Sequence, residues 1–403
     1  MWSWVAYDWA NSAFALTVMT SFVPLMLAGY WNDGADSSVG TFRLGVANAL
    51  ASLLVAVLVP VLGAAADRRG RRRRWLVMVT WLGVTATAAL AFASQGQWQR
   101  ALGLYVVAAF AFAVANALYD ALLVDVVPTR HLDRVSALGF GCGYIGSALL
   151  FGAHVAMLND PAAFGFASAE AASGAAFISV AVWWLVFSVP LALWVPESPP
   201  AVPDGAGAQG MLATLRRIRA DRLAFRFLVA YWLYIDAVYT IIKMAVDYGI
   251  AIGLSPRDLV AAILVTNVIA FPAAIAFGRL AQSVGPRIGV LAGLVVYIGA
   301  TVAAPFIDTA AGFYALAVAV GLVQGGVQSL SRSLFARLVP VSHSGEYFGF
   351  YNMVGKFAAI LGPLLTGLVT LATGSQRFGI LSLILLFVAG AWLLFSLREA
   401  RAD

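Results

Sequence analysis

Gly63-Ala-Ala-Ala-Asp67-Arg68-Arg69-Gly70-Arg71-Arg72-Arg73-Arg74-Trp75-Leu76 packs six arginines into the seven residues from 68 to 74. Apolar runs flank it at 42–66 and 74–94, each about the 20 residues that a helix needs to cross a bilayer. A basic run on a soluble surface would suggest nucleic acid. Between two membrane-length runs it is a short loop, and its charge fixes the side of the bilayer it occupies. Ten more such runs follow from the same criterion, for twelve in all: 4–29, 42–66, 74–94, 101–127, 134–158, 174–195, 224–248, 257–280, 287–307, 310–337, 346–373 and 377–397. Each is predicted to be a helix, because lipid offers the backbone N–H and C=O groups no other partner.

Composition agrees with an all-α integral membrane fold. The chain is 62% hydrophobic and only 11% charged, against roughly 25% charged in a soluble domain. Its net charge of +6 sits mainly in the loops, which fits cytoplasmic loops better than a nucleic-acid surface. The single cysteine, Cys142, excludes a disulfide within the chain. No basic region with a small-residue cleavage site opens the chain, so the first run is expected to be a retained span. Arginine outnumbers lysine 23 to 2 beside abundant alanine and glycine. That bias suggests a GC-rich bacterium and hence the bacterial inner membrane.

The longest connection, 196–223, carries a Pro/Gly-rich stretch and then a basic amphipathic segment with Arg216, Arg217, Arg219 and Arg222. It falls after the sixth span and divides the chain into a six-helix bundle at 1–195, a cytoplasmic linker at 196–223 and a second six-helix bundle at 224–403. If the 67–73 loop lies inside, 19 arginines fall on the inner side and four (Arg43, Arg100, Arg257, Arg377) on the outer side. By the positive-inside rule both termini are cytoplasmic.

Two internal echoes point to homologous halves. Gly63-x-x-x-Asp67-x-x-Gly70-Arg71 after the second span matches Gly278-x-x-x-Gln282-x-x-Gly285-Pro286-Arg287 after the eighth. Asp125-Val-Val-Pro128, leading into the fifth span, is echoed by Arg337-Leu-Val-Pro340, leading into the eleventh. Gly141-Cys-Gly143-Tyr-Ile-Gly146 fits G-x-G-x-x-G, but it lies inside an apolar span and not after a strand, so it reads as close helix packing and not as a nucleotide loop.

Twelve spans, a central linker and the G-x-x-x-D-R-x-G-R-R loop resemble the major facilitator superfamily. Tyr7-Asp8-Trp9-Ala10-Asn11-Ser12-Ala13-Phe14 is similar to the opening signature of its vacuole-effluxer branch. So are Arg134-Val-Ser-Ala-Leu-Gly139, Gly143-Tyr-Ile-Gly146, Gly325-Gly-Val-Gln-Ser-Leu-Ser-Arg-Ser333 and Gly345-Glu-Tyr-Phe-Gly-Phe-Tyr-Asn-Met-Val-Gly-Lys356 with Leu361-Gly-Pro363. The resemblance implies two pseudo-symmetric six-helix bundles, a monomer, and export of amino acids or related metabolites, with spans one, four, seven and ten lining a central cavity. Leu118-Tyr119-Asp120-Ala121 departs from the branch, where asparagine is expected at 120, so substrate or coupling ion is open to difference.

An ionisable group in a span costs at least about 2.5–3.5 kcal/mol on insertion scales, so each needs a cavity or a partner. Asp8 and Asn11 on the first span, beside Ser12, share one helix face. They suit a proton, a cation or an ammonium group, or else a gate at the mouth. Asn116 and Asp120 on the fourth span are one turn apart, and Asp125 near its end is expected to pair with the loop arginines. Asp236, Lys243 and Asp247 form a stripe on the seventh span, either a static buried ion pair or one that a proton or substrate breaks. Gln324, Gln328 and Arg332 step by four along the tenth span. The glutamines suit a polar substrate, and Arg332 either clamps a carboxylate or meets a lipid phosphate. Asn352 and Lys356 share a face of the eleventh span, with Asp236 and Asp8 as candidate partners for Lys356. His154, near the outer end of the fifth span, reads as a packed residue more readily than as a proton carrier.

Gly63, Asp67, Arg68, Gly70, Arg71, Asp125 and Gln282 are assigned to an inner gate. Asp67 is placed to pair with arginines or with a helix N-terminus of the other half. Gln282 has lost the charge, so that latch is expected to be asymmetric. No cofactor or metal is implied. The expected function is secondary transport of a small polar metabolite by alternating access, proton-coupled, with lipid and a coupling ion as partners. The alternatives are a sugar, organic anion, drug or lipid transporter, and, further off, a membrane sensor or enzyme. The chain lacks an H-E-x-x-H or G-x-S-x-G motif, and His131, His154 and His343 are scattered.

Overall fold

The computed structural model describes residues 1–200, 211–358 and 360–397. The regular secondary structure of the described residues is all helical, and they contain no strand. Twelve helices have the length and apolarity to cross a membrane: span 1 Trp2–Trp31, span 2 Ser38–Arg69, span 3 Arg72–Phe92, span 4 Trp98–Val126, span 5 Thr129–Asn159, span 6 Ala169–Trp194, span 7 Arg222–Ile250, span 8 Pro256–Val284, span 9 Pro286–Phe306, span 10 Ala310–Leu338, span 11 Val341–Thr373 and span 12 Arg377–Ser396. The basic segment of the linker is a separate helix, Met211–Ala220; 201–210 lie outside the described residues.

The spans begin where the sequence supplies acceptors for orphan N–H groups. Ser168 accepts from Ala171 at the start of span 6, and Thr309 accepts from Gly312 at the start of span 10. Ser255 and Asp258 form a reciprocal capping box on span 8, followed by Pro256 in the first turn. Asp221 caps span 7 through Ala224 N–H. Large apolar side chains stand exposed along the helices, among them Leu371 (84%), Phe306 (77%) and Trp194 (70%). In water such a surface would be an aggregation site; in lipid it is the solvated face.

Spans 1 and 11 depart most from a plain α-helix. Phe14–Phe22 and Leu27–Trp31 of span 1 are wound as π-helix, a geometry that is rare at this length. Span 11 is broken between its two halves, Ser344–Phe357 and Leu361–Thr373.

Packing divides the chain into two compact units. Unit 1 comprises Met1–Val126, Cys142–Ala206 and Val341–Asn352; unit 2 comprises Val127–Gly141, Gly207–Pro340 and Met353–Asp403. Chain order and packing therefore differ in two places: the first parts of spans 5 and 11 each pack with the other half of the sequence.

Candidate functional site

In unit 1 the Tyr7–Phe14 stretch is held against span 4 by polar contacts. Asp8 Oδ2 accepts from Tyr119 Oη at 3.1 Å. Trp4 donates from Nε1 to the Tyr119 carbonyl at 2.9 Å and stacks on the Tyr119 ring at 4.2 Å. Tyr7 shares a 2.8 Å hydrogen bond with Thr80 of span 3. Asn11 Nδ2 donates to Asn116 Oδ1 at 2.5 Å. Asp120 Oδ2 accepts from Asn352 Nδ2 at 2.9 Å. The structure thus gathers five of the residues singled out from sequence, Asp8, Asn11, Asn116, Asp120 and Asn352, within unit 1. Asp8, Asn11 and Asp120 are buried. Tyr119, Tyr7 and Thr80 escaped the sequence reading because aromatic and hydroxyl residues in a span are indistinguishable from packing residues without their partners.

At the arginine-loop end of the same unit, Asp67 and Arg72 are both buried. Arg72 donates from Nε to Asp67 at 2.5 Å, from Nη1 to Asp125 at 2.8 Å and from Nη2 to the Val341 carbonyl at 2.8 Å. The Asp67 carboxylate also accepts from the backbone N–H of Gly345 (3.0 Å) and Glu346 (2.8 Å), in the first turn of the helix Ser344–Phe357. Charge-assisted bonds to a helix N-terminus are favourable twice over, through the hydrogen bonds and the dipole. Gly63 permits the close approach: a Cβ there would collide with the Gly345 carbonyl. Gly70 ends span 2 with a left-handed φ of 58°. Asp125 also accepts from Ser198 Oγ at 2.5 Å. Arg73 and Arg74 turn to Glu197, while Arg68 and Arg71 are exposed. Gln282, the counterpart of Asp67, is exposed in unit 2.

In unit 2 Asp236 is fully buried, and its carboxylate accepts from three backbone N–H groups of span 11, those of Ile360, Leu361 and Gly362. Thr240 lies against it. Asp236, one of the two acids expected as a candidate partner for Lys356, caps the second half-helix of a broken span. Lys243 is its neighbour in charge, and Lys356 lies within the field of Lys243. Arg332, expected to clamp a carboxylate or to meet a lipid phosphate, turns toward span 5. It is buried, donates from Nε to Ser136 Oγ (2.9 Å) and from Nη2 to the Ser136 carbonyl (3.0 Å), and stacks on Phe140 at 4.3 Å. One turn on, Asp133 accepts from Ser333 and from Arg337, each at 2.6 Å. Gln324 and Gln328 are half-buried on span 10.

His154 hydrogen-bonds Thr17 through Nδ1 (3.3 Å) and Ser179 through Nε2 (2.6 Å). Through these two contacts His154 bridges spans 1, 5 and 6. Trp184 is buried among Phe14 and Phe112, whereas Trp194 is exposed at the end of span 6. Gly143 and Gly146 face Ser12 and Trp9, the close packing that the span 5 glycines imply. An apolar groove of about 480 Å³ between spans 5 and 6, lined by Leu150, Ile178, Val182, Trp183 and Phe187, holds none of the polar candidates. Among the described residues no group of three or more His, Cys, Asp or Glu stands together to hold a metal.

Twelve spans, the Asp67 loop with its degenerate echo, and polar side chains buried at depth define a transporter of the major facilitator superfamily. The chain belongs to the family described as vacuole effluxer Atg22 like, whose model matches residues 34–403. It is 40% identical over 405 residues to the uncharacterized MFS-type transporter YxiO of Bacillus subtilis, covering 98% of this chain and 94% of that one. It is 25% identical over 320 residues to autophagy-related protein 22 of Yarrowia lipolytica, covering 69% of this chain and 54% of the fungal protein. Among solved structures, the human organic anion transporter MFSD10 (TETRAN) superposes with a TM-score of 0.76 at 15% identity, over 97% of each chain. At that identity the likeness concerns the fold alone.

Proposed function

We propose that this protein is a proton-coupled secondary transporter that exports an amino acid or a related small polar metabolite by alternating access. The observation that carries this reading is the set of carboxylates buried within spans, Asp8, Asp120 and Asp236, whose donors include the Tyr119 hydroxyl, the Asn352 amide and the Gly362 N–H. A carboxylate buried within a span is a group that a substrate ammonium or a proton can neutralise. The family, described as vacuole effluxer Atg22 like, supports a transport role.

In this account Asp8, Asn11, Asn116, Asp120 and Asn352 contact the substrate, and Lys243, Gln324, Gln328 and Lys356 are further candidates for binding or coupling. Asp67, Arg72, Asp125 and the start of span 11 form a gate on the cytoplasmic side, where the arginine bias also puts both termini. The membrane is the bacterial inner membrane, and the transporter works as a monomer. A second reading, transport of an organic anion, is favoured by two lysines within spans, Lys356 lying in the field of Lys243. A thermal-shift screen of the purified protein across amino acids, organic anions, sugars and nucleosides separates the two. Stabilisation by amino acids supports the first reading, and stabilisation by organic anions alone replaces it with the second.

A further inference from the structure

The basic part of the linker forms the helix Met211–Ala220, and span 7 begins just beyond it at Arg222. Between them Asp221 takes an extended backbone (ψ 91°) and caps span 7 through Ala224 N–H, so the first helix does not run on into the second. Residues 211–226 hold five arginines and one acid, and that acid is the Asp221 cap.

A helix of ten residues is marginal in water by itself and needs a packed face. Thr214 and Ile218, one turn apart, are buried, and the helix packs against span 7. Leu215, Arg216 and Arg219 are exposed, and Arg222, Phe225 and Arg226 continue the exposed strip along the first turns of span 7. Leu215 is 43% and Phe225 37% exposed.

Guanidinium groups beside exposed leucine and phenylalanine require two kinds of surroundings at once. The apolar side chains favour the acyl boundary, and the arginine forks match phosphate oxygens. Nucleic acid would satisfy the arginines alone and leave Leu215 and Phe225 in water. The covalent link to span 7 holds the helix at headgroup level, where both needs are met.

We propose that Met211–Ala220, with the first turns of span 7, is a docking surface for anionic phospholipid headgroups of the leaflet on the side where span 7 begins. The helix lies in the interface with its exposed arginines on headgroup phosphates and Leu215 toward the acyl chains. Lipid charge then sets how firmly this end of the linker is anchored. Each arginine near an anionic surface contributes about a fivefold gain in the docked population, and the gain shrinks as salt shortens the Debye length.

The test uses full-length protein in nanodiscs of phosphatidylcholine alone or of phosphatidylcholine mixed with phosphatidylglycerol. Amide hydrogen exchange over 214–220 should be at least about fivefold slower with phosphatidylglycerol, and the difference should disappear at high salt. Arg216→Gln/Arg219→Gln should remove the difference. Arg216→Lys/Arg219→Lys should keep it, because these side chains meet the headgroups by charge. Arg257→Gln removes an exposed arginine in the first turn of span 8, near the far end of span 7, and should leave the difference intact. Arg216 and Arg219 are exposed, and unchanged exchange across the rest of span 7 reports an intact fold. Equal exchange in the two lipids overturns the proposal. So does a lipid difference that survives Arg216→Gln/Arg219→Gln, or one that Arg257→Gln abolishes equally. Slow exchange in both lipids that ignores salt also overturns it, and assigns the exposed strip to a protein contact.

Discussion

Asp67→Asn removes one charge from a buried cluster and leaves its shape nearly intact. In the wild type the Asp67 carboxylate accepts from Arg72, Gly345 and Glu346. The Arg72 side chain is 0% exposed and keeps Asp125 as its other acid. Breaking a buried pair costs about 3–5 kcal/mol, because the surviving charge is left uncompensated. Asparagine keeps one acceptor oxygen and Asp125 keeps half of the compensation, so the lower figure, about 3 kcal/mol, applies. That converts to roughly a 100-fold loss in the population with Val341–Asn352 docked. The assay is amide exchange at 345–346 in nanodiscs, beside ligand-induced thermal shift and transport by the same preparation. The expected result is exchange accelerated about 100-fold at those two amides, transport impaired, and the ligand shift nearly unchanged. Unaltered exchange at 345–346 together with lost ligand binding would refute the reasoning and move the arginine loop into the substrate site.

Two further outcomes follow from the same geometry. Asn11→Leu leaves the Asn116 amide without its 2.5 Å partner, and should lower stability by about 1–3 kcal/mol, with partial recovery in Asn11→Leu/Asn116→Leu, read as melting temperatures in one detergent. With Cys142 replaced by alanine, a cysteine introduced by Arg71→Cys should react with an impermeant maleimide only in inside-out vesicles; labelling from the outside of intact cells would invert the proposed topology.

The spans were legible because lipid imposes a length and an apolarity that few soluble sequences satisfy. The Asp67 loop was legible because its glycines and charges are close in sequence. What the sequence hid were partners distant along the chain. Arg332 finds Ser136 across 196 residues and Asp236 finds Gly362 across 126, and neither partner has a side chain that announces the contact. The break in span 11 passed as part of an apolar run. Its one local signal was Leu361-Gly-Pro363: a proline lacks an N–H and suits the first turn of a helix, so its presence there marks a start within the span. Gln282 shows the opposite case, where the loss of charge relative to Asp67 was readable but its exposure was not.

The central claim is proton-coupled movement of amino acids, and the most direct measurement is uptake of labelled amino acids by proteoliposomes under an imposed pH gradient. The account predicts accumulation of at least one amino acid that collapses when a protonophore removes the gradient. Accumulation that ignores the gradient, or movement of organic anions or sugars with no amino acid transported, would contradict it.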